Sequence, residues 1–225
     1  MNAETGRLSR SVEDYLKAVQ ALTARGSTAS TSALAEMLDV QPASVTGMVK
    51  RLAEWGLLAH VPYRGVTLTE SGRSEALRVL RRHRILETYL TGVLGYAWEE
   101  VHEEAERLEH AASDRLIAAM SEALGDPSHD PHGAPIPTPE GTVEASRWGS
   151  LSGIAAGQQV EIRAVDDKGA PELREMESLG LVPGATVRVT TCHADGRLSV
   201  EVGDAGRSCE VDGALAALIF VAPAD

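Results

Sequence analysis

Pro127, Pro131, Pro135, Pro137 and Pro139, interspersed with glycines between Gly125 and about Gly153, interrupt any regular element that could cross the middle of this chain. Proline fixes its own φ and lacks an N–H, so helix interiors and central strands exclude it. The segment reads as a linker, kept extended by its prolines. Upstream of it apolar residues recur at helical spacing; downstream they alternate. Gln159-Val-Glu-Ile-Arg-Ala-Val, Thr186-Val-Arg-Val-Thr and Arg197-Leu-Ser-Val-Glu-Val read as strands of a small β-barrel. A short helix, Glu172-Leu-Arg-Glu-Met-Glu-Ser-Leu-Gly-Leu, falls between them. The expected fold class is mainly α with small β parts.

The first helix runs from Ser11 to about Ala24 on a stripe of Val12, Tyr15, Leu16, Val19 and Leu22. A polar stretch from Arg25 breaks it, and a short second helix begins at Ser32 with Thr31 as the expected N-cap. Pro42 suits the first turn of a third helix, whose inner face is Val45, Val49 and Leu52. Its other face carries Ser44, Thr46, Gly47, Lys50 and Arg51. Small hydroxyl residues near a helix start can approach base edges, and cations further along can meet phosphate or simply face water. Leu57 to Thr69 then reads as two short strands around a turn at Pro62–Gly65. This order is that of a winged helix-turn-helix; the alternative is a generic three-helix bundle with a hairpin. A long basic helix follows from about Glu70 to Leu94, and a further helix from about Trp98 to Leu124. Leu94, Val101, Leu108, Leu116, Ile117, Met120 and Leu124 give these two an apolar stripe suited to a dimer platform.

The net charge of −12 argues against nucleic acid until its distribution is considered. Residues 1–94 hold 12 Lys and Arg against 9 Asp and Glu, whereas residues 95–225 hold 9 against 24. A mildly basic end can sit on phosphates while an acidic end holds cations. No apolar run approaches the roughly 20 residues a membrane span needs, so no membrane partner is expected. The N-terminal residues lack a secretory pattern, and Cys192 and Cys209 have no metal-type spacing; a cytoplasmic location is expected.

The densest chemistry lies at His102, Glu106, Glu109 and His110, which share one helical face at about 100° per residue. On the preceding helix His83 and Glu87 stand at i and i+4. Two such faces on neighbouring helices can enclose divalent cations, as in bundle-core metal sites. The competing view is an acidic solvated helix, since Glu99, Glu100, Glu103 and Glu104 lie there too. A zinc-protease reading fails because Glu106 stands where the HExxH pattern requires its second His.

Ser11-Val-Glu-Asp-Tyr-Leu, Pro42-Ala-Ser-Val-Thr, Arg82-His-Arg-Ile-Leu-Glu and Val101-His-Glu-Glu-Ala-Glu-Arg-Leu-Glu-His, in this order over the whole chain, resemble the diphtheria-toxin-repressor family and specifically its manganese-sensing branch. The resemblance implies a winged helix-turn-helix DNA-binding domain (1–72), a helical metal-binding and dimerisation domain (73–125), a Pro-rich linker (126–152) and a C-terminal SH3-like, FeoA-like barrel (153–225). It implies a primary metal site of Asp14, Glu106, Glu109 and His110, and an ancillary site of His83, Glu87 and His102 completed from the barrel. Asp166 is the first choice for that last ligand, ahead of Asp167 and Glu172. In some manganese-sensing relatives the linker supplies ligands instead, a pattern that falls here on Asp130 and His132; the alternative is an exposed linker pair. Iron-sensing relatives place a Met and a Cys where Asp14 and Glu106 stand, so the hard, oxygen-rich site here suits Mn²⁺, with Fe²⁺ as the second candidate. Lys17 stands where some barrel-less relatives have another carboxylate, which argues against their two-manganese cluster.

The resemblance further implies a homodimer that binds a palindromic double-stranded DNA operator when metal-loaded and silences metal-uptake genes. Gln41, Pro42, Ala43, Ser44, Thr46 and Gly47 would face the bases, with Lys50, Arg51 and the wing residue Arg64 on phosphate. No catalytic residue is expected. Two rival classes are a metallo-hydrolase using Glu103 as base and a metal-buffering protein whose barrel binds a partner.

Overall fold

A computed structural model describes residues 8–24, 28–61, 64–144, 148–167, 169–203 and 205–224. The chain divides into two compact units. The first comprises the described residues up to Arg82 together with 109–111 and 137–143; the second comprises 83–108, 112–136 and the described residues from Glu144 onward.

In the first unit, α1 (Arg10–Thr23), α2 (Thr31–Met37) and α3 (Pro42–Glu54) are followed by β1 (Leu58–Val61), β2 (Gly65–Leu68) and the start of α4 (Glu70–Gly92). Their inward faces form one aliphatic core: Val12, Leu16 and Val19 of α1, Leu34 of α2, Val45, Val49 and Leu52 of α3, and Leu58 and Val66 of the hairpin. Ser30, rather than Thr31, caps α2, because its hydroxyl accepts the Ala33 N–H at 3.1 Å. Pro42 occupies the first turn of α3 as its missing donor allows. β1 and β2 pair antiparallel with Leu58 opposite Leu68 and Val61 opposite Gly65. Of the turn expected between them, Pro62 and Tyr63 lie outside the described residues. Gly72 admits no side chain, since a Cβ there would stand 1.9 Å from the Leu57 carbonyl oxygen.

The second unit contains the rest of α4, then α5 (Val101–Leu108) and α6 (Asp114–Ala123). The single helix expected over 98–124 is thus two. Ser113 accepts the Leu116 N–H at 3.2 Å and starts α6 afresh, so a good N-cap overrides a continuous apolar stripe. A small core of Ile85, Leu86, Ala105, Ala112, Ile117 and Ile136 joins these helices.

The barrel domain is a six-stranded antiparallel sheet of β3 (Gly149–Ser150), β4 (Gln159–Val165), β5 (Thr186–Cys192), β6 (Leu198–Val202), β7 (Arg207–Val211) and β8 (Ile219–Pro223), in the order β3-β8-β4-β5-β6-β7. Register shifts in the β4–β8 and β5–β6 ladders bend the sheet around its core. Alternating residues such as Val160, Ile162, Val187, Val189, Val200 and Val221 fill that core, closed by Leu173 and Met176 of α7 (Ala170–Leu179) and Leu215 of α8 (Gly213–Ala217).

The Pro-rich segment is not the plain extended linker expected. Residues 126–136 pack within the second unit and 137–143 within the first. A tight turn forms at 130–134, where Asp130 Oδ1 accepts the N–H groups of His132 and Ala134, both at 2.9 Å. Gly133 holds a φ of 83° there, and its Cα passes close enough to Arg163 that a Cβ would meet the carbonyl oxygen at 2.0 Å. His132 in turn accepts the Val165 N–H on its carbonyl at 2.9 Å.

Candidate metal centre

Helix α1 presents Glu13, Asp14 and Lys17 within one turn, and the turn that follows α5 brings Glu109 and His110 to them inside the first unit. His110 Nε2 stands 2.9 Å from Asp14 Oδ1 and 3.3 Å from Glu109 Oε1. Its other nitrogen, Nδ1, lies 2.7 Å from Glu13 Oε2. The Lys17 ammonium donates to both oxygens of the fully buried Glu109, at 2.8 and 3.1 Å. His110 Nε2 is itself buried and makes no hydrogen bond of acceptable angle, although two carboxylates face it. A buried nitrogen aimed at acidic oxygens fits a divalent cation. The donor set is oxygen and nitrogen without sulfur, which favours a hard metal.

A second cluster lies within the second unit. His83 and Glu87, one turn apart on α4, are 2.9 Å apart from Nε2 to Oε1. His102 Nδ1 approaches Glu87 Oε1 at 3.3 Å, His83 Nε2 at 3.2 Å and Asp167 Oδ2 at 3.5 Å. One ligand atom from each of His83, Glu87, His102 and Asp167 falls within 4.8 Å of the others. Asp167, not Asp166, is therefore the barrel carboxylate at this cluster. Successive residues of an extended segment project to opposite sides, and Asp166 is tied by its N–H to the Leu218 carbonyl. Glu172 is not part of this cluster either. Glu106 stands at the margin, 3.9 Å from His102 Nε2 and 4.0 Å from His83 Nδ1.

Electrostatics show what this second cluster requires. The hydrogen bond with Asp167, aided by that with Glu87, pushes His102 up to about 10. Burial works to raise Glu87, but the His83 and His102 imidazoles outweigh it and hold the carboxylate well below its usual range. Burial likewise opposes ionisation of Asp167, and the His102 bond still leaves it lowered. Without metal, a proton on His102 supplies the positive charge that these carboxylates need.

Glu87 also belongs to a third group, with Asp130 and His132, all three buried and their ligating atoms within 4.8 Å. His132 is fully buried, stacked on Trp98 with ring centroids 5.5 Å apart, and its Nε2 lies 2.9 Å from the Trp98 carbonyl oxygen. A carbonyl only accepts, so Nε2 carries a proton and Nδ1 is left to face the two carboxylates. Nδ1 has no hydrogen-bond partner, and neither have Glu87 Oε2 and Asp130 Oδ2. Arg84 offers the nearest balancing charge, with its Nε 3.3 Å from Asp130 Oδ2. Burial, with repulsion from Glu87, pushes Asp130 up to about 6. Three buried polar atoms without hydrogen-bond partners fit a cation, and the linker pair is not exposed.

The residues expected at DNA form a separate surface on the first unit. Gln41, Pro42, Ala43, Ser44, Thr46, Gly47, Lys50 and Arg51 are all exposed at the N-cap and along the outer face of α3, and Arg64 is exposed beside β2. Thr46 donates its hydroxyl to the Pro42 carbonyl at 3.0 Å, and Arg51 lies over the Trp55 ring at 5.0 Å from its centroid.

Sequence reasoning passed over Glu13, Arg82 and Trp98 and ranked Asp167 below Asp166. For Glu13 the available signal was only its position, one residue before a candidate ligand.

Comparison with known proteins matches most of the chain. A family model described as "Iron dependent repressor, N-terminal DNA binding domain" matches residues 7–66. A second, "Iron dependent repressor, metal binding and dimerisation domain", matches 69–138, and a "FeoA domain" model matches 149–223. The iron-dependent repressor IdeR of Mycobacterium tuberculosis is 34% identical over 196 residues, covering 82% of this chain and 85% of the relative. The diphtheria toxin repressor of Corynebacterium diphtheriae is 35% identical over 125 residues, 56% of this chain and 55% of its own length. A solved manganese-dependent transcriptional repressor in complex with manganese superposes with a TM-score of 0.87 at 37% identity, covering 95% of this chain and all of that one. The manganese regulator SloR superposes with a TM-score of 0.77 at 32% identity, covering 95% and 98%.

Proposed function

Because this chain belongs to the diphtheria-toxin-repressor family of metal-dependent transcriptional repressors, we propose that it senses Mn²⁺ and, metal-loaded and dimeric, binds a palindromic operator that controls metal-uptake genes. The observation that carries the choice of metal is the donor set at α1: Asp14, Glu109 and His110, oxygen and nitrogen only. Glu106, one helical turn before His110 in the sequence, is the proposed fourth ligand. The proposed ancillary ligands are His83, Glu87, His102 and Asp167, with Asp130 and His132 sharing Glu87. Fe²⁺ is the second reading, favoured by the 34% identity to an iron-dependent repressor.

A bound divalent cation would supply the charge that lets these carboxylates stand together without repulsion. The chain's own residues do the rest. Asp14 sits on α1, whose inner face shares a core with the recognition helix α3. Fixing Asp14 against Glu109 and His110 therefore fixes the frame from which Gln41, Pro42, Ala43, Ser44, Thr46 and Gly47 reach base edges. Lys50, Arg51 and Arg64 supply the phosphate contacts. Converting a 1:99 equilibrium to 99:1 requires about 5.5 kcal/mol of preference for the DNA-competent state.

The test is operator binding titrated separately with Mn²⁺, Fe²⁺ and Zn²⁺, at several salt concentrations. We expect Mn²⁺ to promote binding to a palindrome, and Asp14→Ala to fold normally yet lose at least about tenfold of that response, roughly 1.4 kcal/mol. An Asp14→Ala protein that responds like the wild type would sink the proposed site. A response to Fe²⁺ at lower free concentration than to Mn²⁺ would select the second reading. Glu106→Cys, which introduces a thiolate, is expected to shift preference toward softer metals.

A further inference from the structure

We propose that Glu13 is a positioning residue for His110: it fixes the imidazole with the proton on Nδ1 and the bare Nε2 turned toward Asp14 and Glu109, and Arg82 holds Glu13 in place. The inference rests on the reading of Asp14, Glu109 and His110 as metal ligands.

Glu13 is 1% exposed and Arg82 3% exposed, both within the first unit. The carboxylate divides its two oxygens between two partners. Oε1 accepts from Arg82 Nη1 at 3.2 Å, and Oε2 lies 2.7 Å from His110 Nδ1. Charge neutralisation of a buried acid needs only the arginine. The second oxygen instead makes a short bond to an imidazole whose far nitrogen faces two further carboxylates. An ionised carboxylate can only accept, so Nδ1 must donate. The neutral ring then has its lone pair on Nε2, the atom 2.9 Å from Asp14 and 3.3 Å from Glu109. A carboxylate behind a metal-binding histidine sets its tautomer and ring orientation in just this way. Helix α1 thus contributes a ligand at position 14 and, about 100° around its axis at position 13, the group that aims another ligand. Glu13 leaves no mark of this in the sequence, where an acid in a first helical turn is ordinary complementarity to the helix dipole.

Two measurements on the full chain decide the matter. In the first, nitrogen-15 spectra of the metal-free protein, taken where the His110 ring is neutral and assigned against His110→Gln, report which nitrogen carries the proton. We expect Nδ1–H and a bare Nε2; a proton on Nε2 with Nδ1 bare overturns the proposal. In the second, Mn²⁺ affinity is measured by chelator competition for the equivalent that Asp14→Ala removes. Glu13→Leu combined with Arg82→Met removes both members of the buried pair together, so neither is left facing the other's empty place. That double variant is expected to bind this Mn²⁺ about 10- to 100-fold more weakly, with the melting temperature of the metal-free protein preserved. Glu13→Gln, which keeps an acceptor oxygen, should recover part of the loss. Unchanged Mn²⁺ affinity in the double variant overturns the proposal. If Asp14→Ala removes no Mn²⁺, the ligand assignment fails instead, and the tautomer of the metal-free protein still decides the role of Glu13.

Discussion

His102 meets its acceptors through one ring nitrogen: Nδ1 faces Glu87 at 3.3 Å and Asp167 at 3.5 Å. Its value near 10, above the ordinary 6.5, means that the metal-free protein holds a proton there at neutral pH. A histidine raised on folding contributes stability fully present below its unfolded value and lost as pH rises through the folded one. The metal-free protein is therefore expected to lose stability between about pH 6.5 and 10. Glu87 behaves oppositely: its depressed carboxyl contributes above its usual range and loses that contribution in acid. A metal taking the His102 position must displace the proton. Calorimetry of Mn²⁺ binding in buffers of different ionisation enthalpy should show proton release at pH 7, with affinity rising up to about tenfold per pH unit. In His102→Gln this component should vanish, and proton release equal to that of the wild type would refute the assignment.

At the scale of elements, the informative pieces are short. The turn at 130–134 carries Asp130 and His132, the proposed linker ligands, and depends on Gly133, where a positive φ and the close Arg163 carbonyl leave no room for a side chain. Gly133→Ala is expected to destabilise the protein by about 1–3 kcal/mol, read from urea unfolding of the full chain. It should also weaken Mn²⁺ binding at the group containing Glu87, Asp130 and His132. Stability within a few tenths of the wild type would show that the turn relaxes freely. The break between α5 and α6 follows the same logic of small groups. One serine hydroxyl at position 113 starts a new helix, and the turn before it places Glu109 and His110 beside α1. A continuous helix was the natural expectation because periodicity records which faces are apolar and carries little weight at a cap.

For the whole molecule, the proposed activity requires two copies. Leu94, Tyr96 and Leu116 are each more than 40% exposed in the single chain, although the sequence places two of them on the apolar stripe of the dimer platform. Apolar residues left exposed in a region that matches a dimerisation family model are the expected pairing surface. Leu116→Glu is expected to convert the dimer to monomer in sedimentation and to remove operator binding while leaving Mn²⁺ affinity within about threefold. A dimer that survives this substitution would place the pairing surface elsewhere. The charge distribution bears on the same activity, since only the end that carries α3 and the wing is basic and the net charge is −12. Operator binding should therefore fall steeply with salt, because a few cations must act against an overall repulsive field.

The sequence alone determined the order of elements, the winged unit, the helical pair of His83 and Glu87, and the β-rich end. These rest on periodicity, proline placement and capping, which act over a few residues and are written locally. It also grouped the candidate site residues by i, i+3 and i+4 spacing, although Glu109 and His110 fall in the turn after α5. Only the tertiary structure decided between Asp166 and Asp167, because the choice depends on which side of an extended segment meets His102. It alone showed that Asp130 and His132 are buried beside Glu87, and that Glu13 and Arg82 stand behind His110. Those pairings join residues up to 97 positions apart. Burial, tautomer and charge balance are properties of such neighbours, and no local pattern encodes them.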